Sequence, residues 1–370
     1  MRKRSVFCAS VVFPCVVALT SWVGVAQAQP QPLEVVASGL VNPRGLAFGP
    51  EGALYVAEAG SGGDMTPCLP AVDAAGPRCV GDTGAVTRIW PLAPGNQVRV
   101  ATGLPSAAGK GGGGATGPSD ISFRGRGGAF ITVGLGTDPG AAERAVWELS
   151  GVKFGWLVRM PASGRWKATV DVAAHEAGNP DGDDLNSNPY GVLALPGRRI
   201  VADAGANALL EVAANGRIKT LAVFPRRAVA PGGPTFQAVP TSVAQGPDGA
   251  FYVGQLTGVP FPVGQACVYR VRAHGGTPVC VYNGFTNIID LTFGPDGALY
   301  VLELDANGLP TDPPFGRLTR ITLCGNPTRT VIPTPGLVLP GGVAIGPDGA
   351  IYMTNLSVSP VGGQVVRIRP

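Results

Sequence analysis

Short runs in which apolar and polar residues alternate, bounded by Gly, Pro, Asn and Asp, fill the chain after residue 28. A period of two marks half-buried β-strands. One phrase recurs six times, at 42–56, 117–133, 188–203, 239–253, 287–301 and 339–353, its second residue returning at intervals of 75, 71, 51, 48 and 52. Four copies carry Gly-Pro-Asp-Gly or Gly-Pro-Glu-Gly, at 49–52, 246–249, 294–297 and 346–349. Pro presets the first turn position and the closing Gly supplies positive φ, so each phrase predicts a tight hairpin. Two further alternating runs follow each hairpin, as at 208–213 and 217–223, which are split by Ala214-Asn215-Gly216.

Each repeat is therefore expected to be a four-stranded antiparallel sheet, and six such sheets packed radially make an all-β, six-bladed β-propeller. The last repeat lacks a strand, while an orphan run at 33–38 precedes the first. Pairing that run with the last strand, near 363–369, completes blade 6 and leaves no open edge.

With strands lettered A to D from the axis outward, the A-to-B and C-to-D turns fall on one face and are short. The long segments 59–83, 103–117, 135–154, 174–188, 224–239 and 305–315 fall on the other. Long loops on a rigid scaffold are where binding concentrates, so that face is the expected working face.

Polar residues gather there. The B-strand ends carry Glu58, Asp203, Gln255, Glu303 and Asn355, and the A strands of blades 2 and 5 begin with Asp120 and Asp290, opposite one another across the channel. Two uses fit this ring: oxygen ligands to Ca²⁺, or acceptors for backbone amides and water at the channel mouth. The loop 179–188, with Asp181, Asp183 and Asp184, is a second oxygen-rich candidate, although no Glu stands at the twelfth position of a calcium loop. His175 and Glu176 beside it are the candidate general base pair. Gly-x-Ser-x-Gly and a P-loop ending are both absent.

Composition adds a compartment. Gly 56 and Pro 36 would suggest disorder were hydrophobic residues not 45% of the chain. Residues 1–28 read as an export leader: Arg2, Lys3 and Arg4, an apolar run, then Ala26-Gln27-Ala28. The expected organisation is thus a leader at 1–28 and a single propeller domain at 29–370, periplasmic or extracellular, with no transmembrane segment in the mature chain.

Removing the three leader cations from 28 Lys+Arg leaves 25 against 24 Asp+Glu. Such a balance gives no basic surface for nucleic acid. Pairs such as Arg198-Arg199 and Arg226-Arg227 read as solvated turn charges. Cys68 with Cys79, and Cys267 with Cys280, are expected disulfides, leaving Cys324 over. No Cys/His spacing suits zinc. A monomer engaging a small-molecule ligand or a protein partner is expected.

The phrases Asn42-Pro43-Arg44-Gly45-Leu46, Gly117-Pro118-Ser119-Asp120-Ile121, Asn179-Pro180-Asp181-Gly182, Ser187-Asn188-Pro189-Tyr190 and Asn287-Ile288-Ile289-Asp290-Leu291 resemble those of the ScyD/ScyE family, and the repeats resemble NHL-type and SMP-30-like propellers. The first resemblance implies an exported binding or scaffold protein without assigned catalytic residues. The SMP-30-like one implies an alternative, a Ca²⁺-dependent hydrolase or lactonase with its metal at the channel mouth, where Glu58, Asp203 and Asn355 loosely match the ligand set.

Overall fold

A computed structural model describes residues 32–69, 76–93, 95–323 and 327–369. The predicted leader and Cys324 lie outside the described residues.

The described chain forms the six predicted blades. Blade 1 is Pro43–Phe48, Leu54–Glu58, Arg78–Ile89 and Gln97–Ala108; blade 2 is Pro118–Phe123, Ala129–Val133, Trp156–Met160 and Lys167–Asp171. Blade 3 is Pro189–Leu195, Arg198–Asp203, Ala208–Ala213 and Ile218–Val223; blade 4 is Pro240–Gln245, Phe251–Gln255, Ala266–Val271 and Val279–Phe285. Blade 5 is Ile288–Phe293, Leu299–Glu303, Arg317–Thr322 and Thr328–Ile332. Blade 6 takes Val343–Ile345, Ile351–Asn355 and Gly363–Ile368 from the end of the chain and its D strand, Glu34–Leu40, from the beginning. The predicted closure is antiparallel, with Glu34 opposite Arg367 and their side chains ion-paired.

The core is divided among the blade interfaces. Leu46, Leu54 and Val56 of blade 1 pack with Tyr352 and Val365 of blade 6, and Val192 and Leu210 of blade 3 pack with Phe130 and Leu157 of blade 2. The remaining four interfaces hold equivalent clusters. Strand B of blades 1, 2, 4, 5 and 6 is buried at every position, because both its faces meet neighbouring blades.

The recurring turn has a second device. Asp248, Asp296 and Asp348 each accept the amide two residues on, at 3.1, 3.1 and 3.2 Å. Strand C then presents an arginine directly across from the strand-B tyrosine: Arg88 to Tyr55, Arg270 to Tyr252, Arg320 to Tyr300 and Arg367 to Tyr352. Arg270 and Arg320 also pair with the turn aspartates, at 2.7 and 2.5 Å. The motif thus ties strands A, B and C together at one end of blades 1, 4, 5 and 6.

Two expectations change. Segments 59–83 and 103–117 are not simple loops: strands C and D of blade 1 run on into them, and Met65–Leu69 adds a fifth strand, tied by Cys68–Cys79. The helix Ala142–Leu149 packs there, Trp147 donating its indole N–H to Pro67 O at 2.8 Å. Nor are the arginine pairs solvated turn charges. Arg198 pairs with Glu211, Arg199 lies 3.9 Å over the Phe130 ring, Arg226 pairs with Asp183, and Arg227 donates to Gln255 at 2.8 Å. The Cys267–Cys280 disulfide joins strands C and D of blade 4. Among the described residues no helix is long and apolar enough to cross a membrane.

Candidate functional site at the channel mouth

The B-strand ends are buried and occupied. Glu58 accepts from Val41 N at 2.8 Å and from Arg99 at 2.9 and 3.1 Å; Glu303 accepts from Thr286 N and Arg317. Asp203 accepts from Ser187 Oγ, Asn188 N, Gly205 N and Ala206 N; Asn355 accepts from Val338 N; Gln255 accepts from Arg227 and Cys267 N. In blades 1, 3, 5 and 6 the amide satisfied belongs to the chain arriving at strand A of the same blade. These side chains therefore fasten the approach to strand A. Among the described residues no three His, Cys, Asp or Glu side chains converge to hold a metal.

Deeper in the channel, Asp120 and Asp290 face each other. Each accepts its neighbour's amide (Ile121 N and Leu291 N, both 2.8 Å) and one from the next blade (Val192 N at 2.8 Å, Val343 N at 2.7 Å). Gly45 makes room for Asp120, since a Cβ there would stand 2.1 Å from its carboxylate oxygen. Burial raises both carboxyls, that of Asp290 to about 7, and the charge of Asp290 pushes Asp120 up further. Two carboxylates in one channel cannot both ionise cheaply, so the pair retains a proton toward neutrality.

Above them a cavity of about 200 Å³ opens on the long-loop face, walled by residues of blades 1 to 5, including Arg44, Ser119, Asn188, Tyr190, Thr241 and Ile289. Arg44 donates Nη2 to Ala115 O at 2.8 Å and has no carboxylate partner among the described residues. Burial raises the Tyr190 phenol, Arg44 opposes that shift, and Asp290 and Asp120 add to it. The sequence expectation placed Asp120 and Asp290 at the mouth, one position later on strand A than the lining residues Ser119 and Ile289. An irregularity at the start of strand A makes this one-residue difference: pairing jumps between Pro118 and Asp120, Pro189 and Gly191, Pro240 and Ser242, and Ile288 and Asp290. The signal that would have found the lining is the odd pair Arg44 and Tyr190 at a position elsewhere small or apolar.

The second candidate region lies beside this mouth, on the short helix Ala173–Gly178 and the loop after it. His175 and Glu176 do not act on one another. His175 Nε2 meets Thr220 Oγ1 at 2.9 Å, and burial lowers its pKa. Glu176 is only 2% exposed, and burial, with Asp181 and Asp203 nearby, raises it to about 7. Asp183 is taken by Arg226 and Gln237, which hold it below the usual carboxylate range, and Asp184 is exposed. Asp181 accepts from Asp183 N at 3.0 Å and from Asn207 Nδ2 at 2.9 Å.

A larger cavity of about 500 Å³ lies at the tight-turn end of blades 1 and 2. Of its polar groups, Glu51, Tyr55 and Arg88 are blade 1's copy of the recurring turn motif, which marks them as structural, and Arg126 comes from the A-to-B turn of blade 2.

No family model and no curated protein matches the chain. Solved structures do. Luciferin-regenerating enzyme superposes with a TM-score of 0.52 at 12% identity, over 91% of this chain and 95% of the other. The PQQ-bound aldose sugar dehydrogenase of Streptomyces coelicolor gives 0.52 at 13%, over 92% and 98%. A calcium-binding protein, regucalcin, from Agrobacterium tumefaciens gives 0.49 at 13%, over 92% and 96%. For the first two, at these identities, the likeness extends to the fold alone, and the resemblance to the ScyD/ScyE family is not confirmed by it.

Proposed function

We propose that this protein is an exported propeller whose channel mouth, on the long-loop face, binds a ligand through an acidic group, a carboxylate or a phosphate. The carrying observation is Arg44: a guanidinium without a carboxylate partner among the described residues, on the wall of a cavity framed by five blades. Arginine forks match carboxylate and phosphate oxygens. Tyr190 adds a hydroxyl, and the proton kept by Asp120 and Asp290 lessens repulsion of an incoming anion. Two disulfides support export, since such bonds persist in oxidising compartments. The alternative, a Ca²⁺-dependent hydrolase at the mouth, finds less support, because Glu58, Asp203, Glu303 and Asn355 are already engaged by protein donors.

The test is a thermal-shift screen of carboxylate- and phosphate-bearing small molecules on the wild type and Arg44→Leu. Stabilisation that disappears in Arg44→Leu is expected. Compounds that stabilise both proteins equally would place binding elsewhere.

A further inference from the structure

Four oxygen atoms in one short segment are buried without a donor in good hydrogen-bond geometry: Oε1 and Oε2 of Glu176, which among the described residues only the Asn186 backbone N–H approaches, Oδ1 of Asn179 and Oδ1 of Asn186. Buried polar atoms are ordinarily paired, and an orphaned carboxylate is costly to leave so. Glu176 is 2% exposed and has no ion-pair partner among the described residues, while Arg226, which reaches this loop from the 224–239 segment, is committed to Asp183. Asn179 donates Nδ2 to Asp183 O at 2.8 Å, which fixes the orientation of its amide. Asp181 lies close enough to act electrostatically on Glu176, and unlike Glu58 and Glu303 it has no arginine partner among the described residues; each of its oxygens accepts one hydrogen bond and keeps a lone pair.

We propose that Glu176, Asp181, Asn179 and Asn186 form a calcium site that ties the 176–187 loop to blade 3, separate from the channel mouth. Two carboxylates and two amide oxygens, without sulfur or free imidazole, are a donor set for a hard cation. Ca²⁺ suits them better than Mg²⁺, which demands near-octahedral geometry and keeps several waters. The site departs from the sequence expectation, which offered Asp183 and Asp184 with Asp181. Those two are spent on Arg226 or exposed, and the missing acidic ligand is Glu176, upstream of the motif rather than at its end. Ion binding would stiffen the segment leading to Asn188 and Tyr190, on the cavity wall. The site does not depend on what the mouth binds.

The full chain, treated with EDTA and desalted, is titrated with CaCl₂ by calorimetry and melted with and without CaCl₂, with MgCl₂ as a parallel arm. One Ca²⁺ per chain and a raised Tm in CaCl₂ are expected, because a ligand held only by the folded state must stabilise it. Glu176→Gln should weaken Ca²⁺ more than about 10-fold, while Asp120→Asn with Asp290→Asn leaves it unchanged. Asn186→Ala provides the same test if Glu176→Gln fails to fold. Absence of binding at millimolar CaCl₂ would overturn the site and make a proton on Glu176 the occupant. Binding retained in Glu176→Gln and Asn186→Ala, or lost in the channel double variant, would overturn it equally, as would MgCl₂ binding more tightly than CaCl₂.

Discussion

Asp120 and Asp290 hold the channel at the cost of keeping carboxyl groups where charge is unwelcome. An aspartate in the unfolded chain titrates near ~3.9, whereas the folded pair holds a proton up to about 7. The folded state therefore binds more protons over that window, and the pair withdraws stability as pH rises from 4 to 7. Tm measured from pH 5 to 8 should fall more steeply in the wild type than in Asp120→Asn with Asp290→Asn. Parallel profiles would refute the shared proton. At this scale the sequence was half legible. Spacing alone placed both aspartates across the channel, because they stand at equivalent repeat positions. It did not place Arg44 or Tyr190, since an irregularity at the start of strand A decides which side chain meets the cavity. It did not single out Glu176 as a ligand either, since burial without a partner appears only in three dimensions.

The blade is the unit whose stability is most readily measured. In blade 4, Asp248 closes the turn and holds Arg270, with partners 2.7 to 3.4 Å away. Asp248→Ala should cost about 1 kcal/mol in urea unfolding, mainly from the lost turn acceptor, the exposed ion pair adding little. On the far side of the same blade, Cys267→Ser with Cys280→Ser opens a loop with a sequence separation of 13. A loop of that size predicts a loss of about 3 kcal/mol, and an unchanged midpoint would mean that the strands hold register without the bond. Hairpins were legible because Gly-Pro-Asp-Gly has a single local solution. The fifth strand of blade 1 was not, because its Gly- and Pro-rich neighbourhood looks like a loop until Cys79 and its flanking residues pair with Met65–Leu69 and with strand D.

For the whole molecule, closure rests on one strand, Glu34–Leu40. It buries Val36, Ala37 and Leu40 at the interface of blades 6 and 1, and Glu34 binds Arg367. Deleting residues 32–40 should expose the edge of Gly363–Ile368 and part of that core, giving a chain that aggregates on gel filtration. A well-behaved monomer of unchanged Tm would show that the ring does not need its clasp.

That clasp also sets an order of events in time. Its pairing spans 333 residues, so Glu34–Leu40 can reach its place only after Gly363–Ile368 has been synthesised. Until then blade 6 lacks its outer strand, and the chain must cross its folding barrier as an open ring. Distant pairings are slow to form because the intervening loop must close before any contact rewards it. Moving the segment 32–40 to follow Ile368 through a short linker, with new ends in front of Pro43, turns the longest-range pairing into a local one. Such a permuted chain would refold faster with its blades unchanged, and a newly made copy of the natural chain would remain vulnerable to proteases until Gly363–Ile368 has appeared.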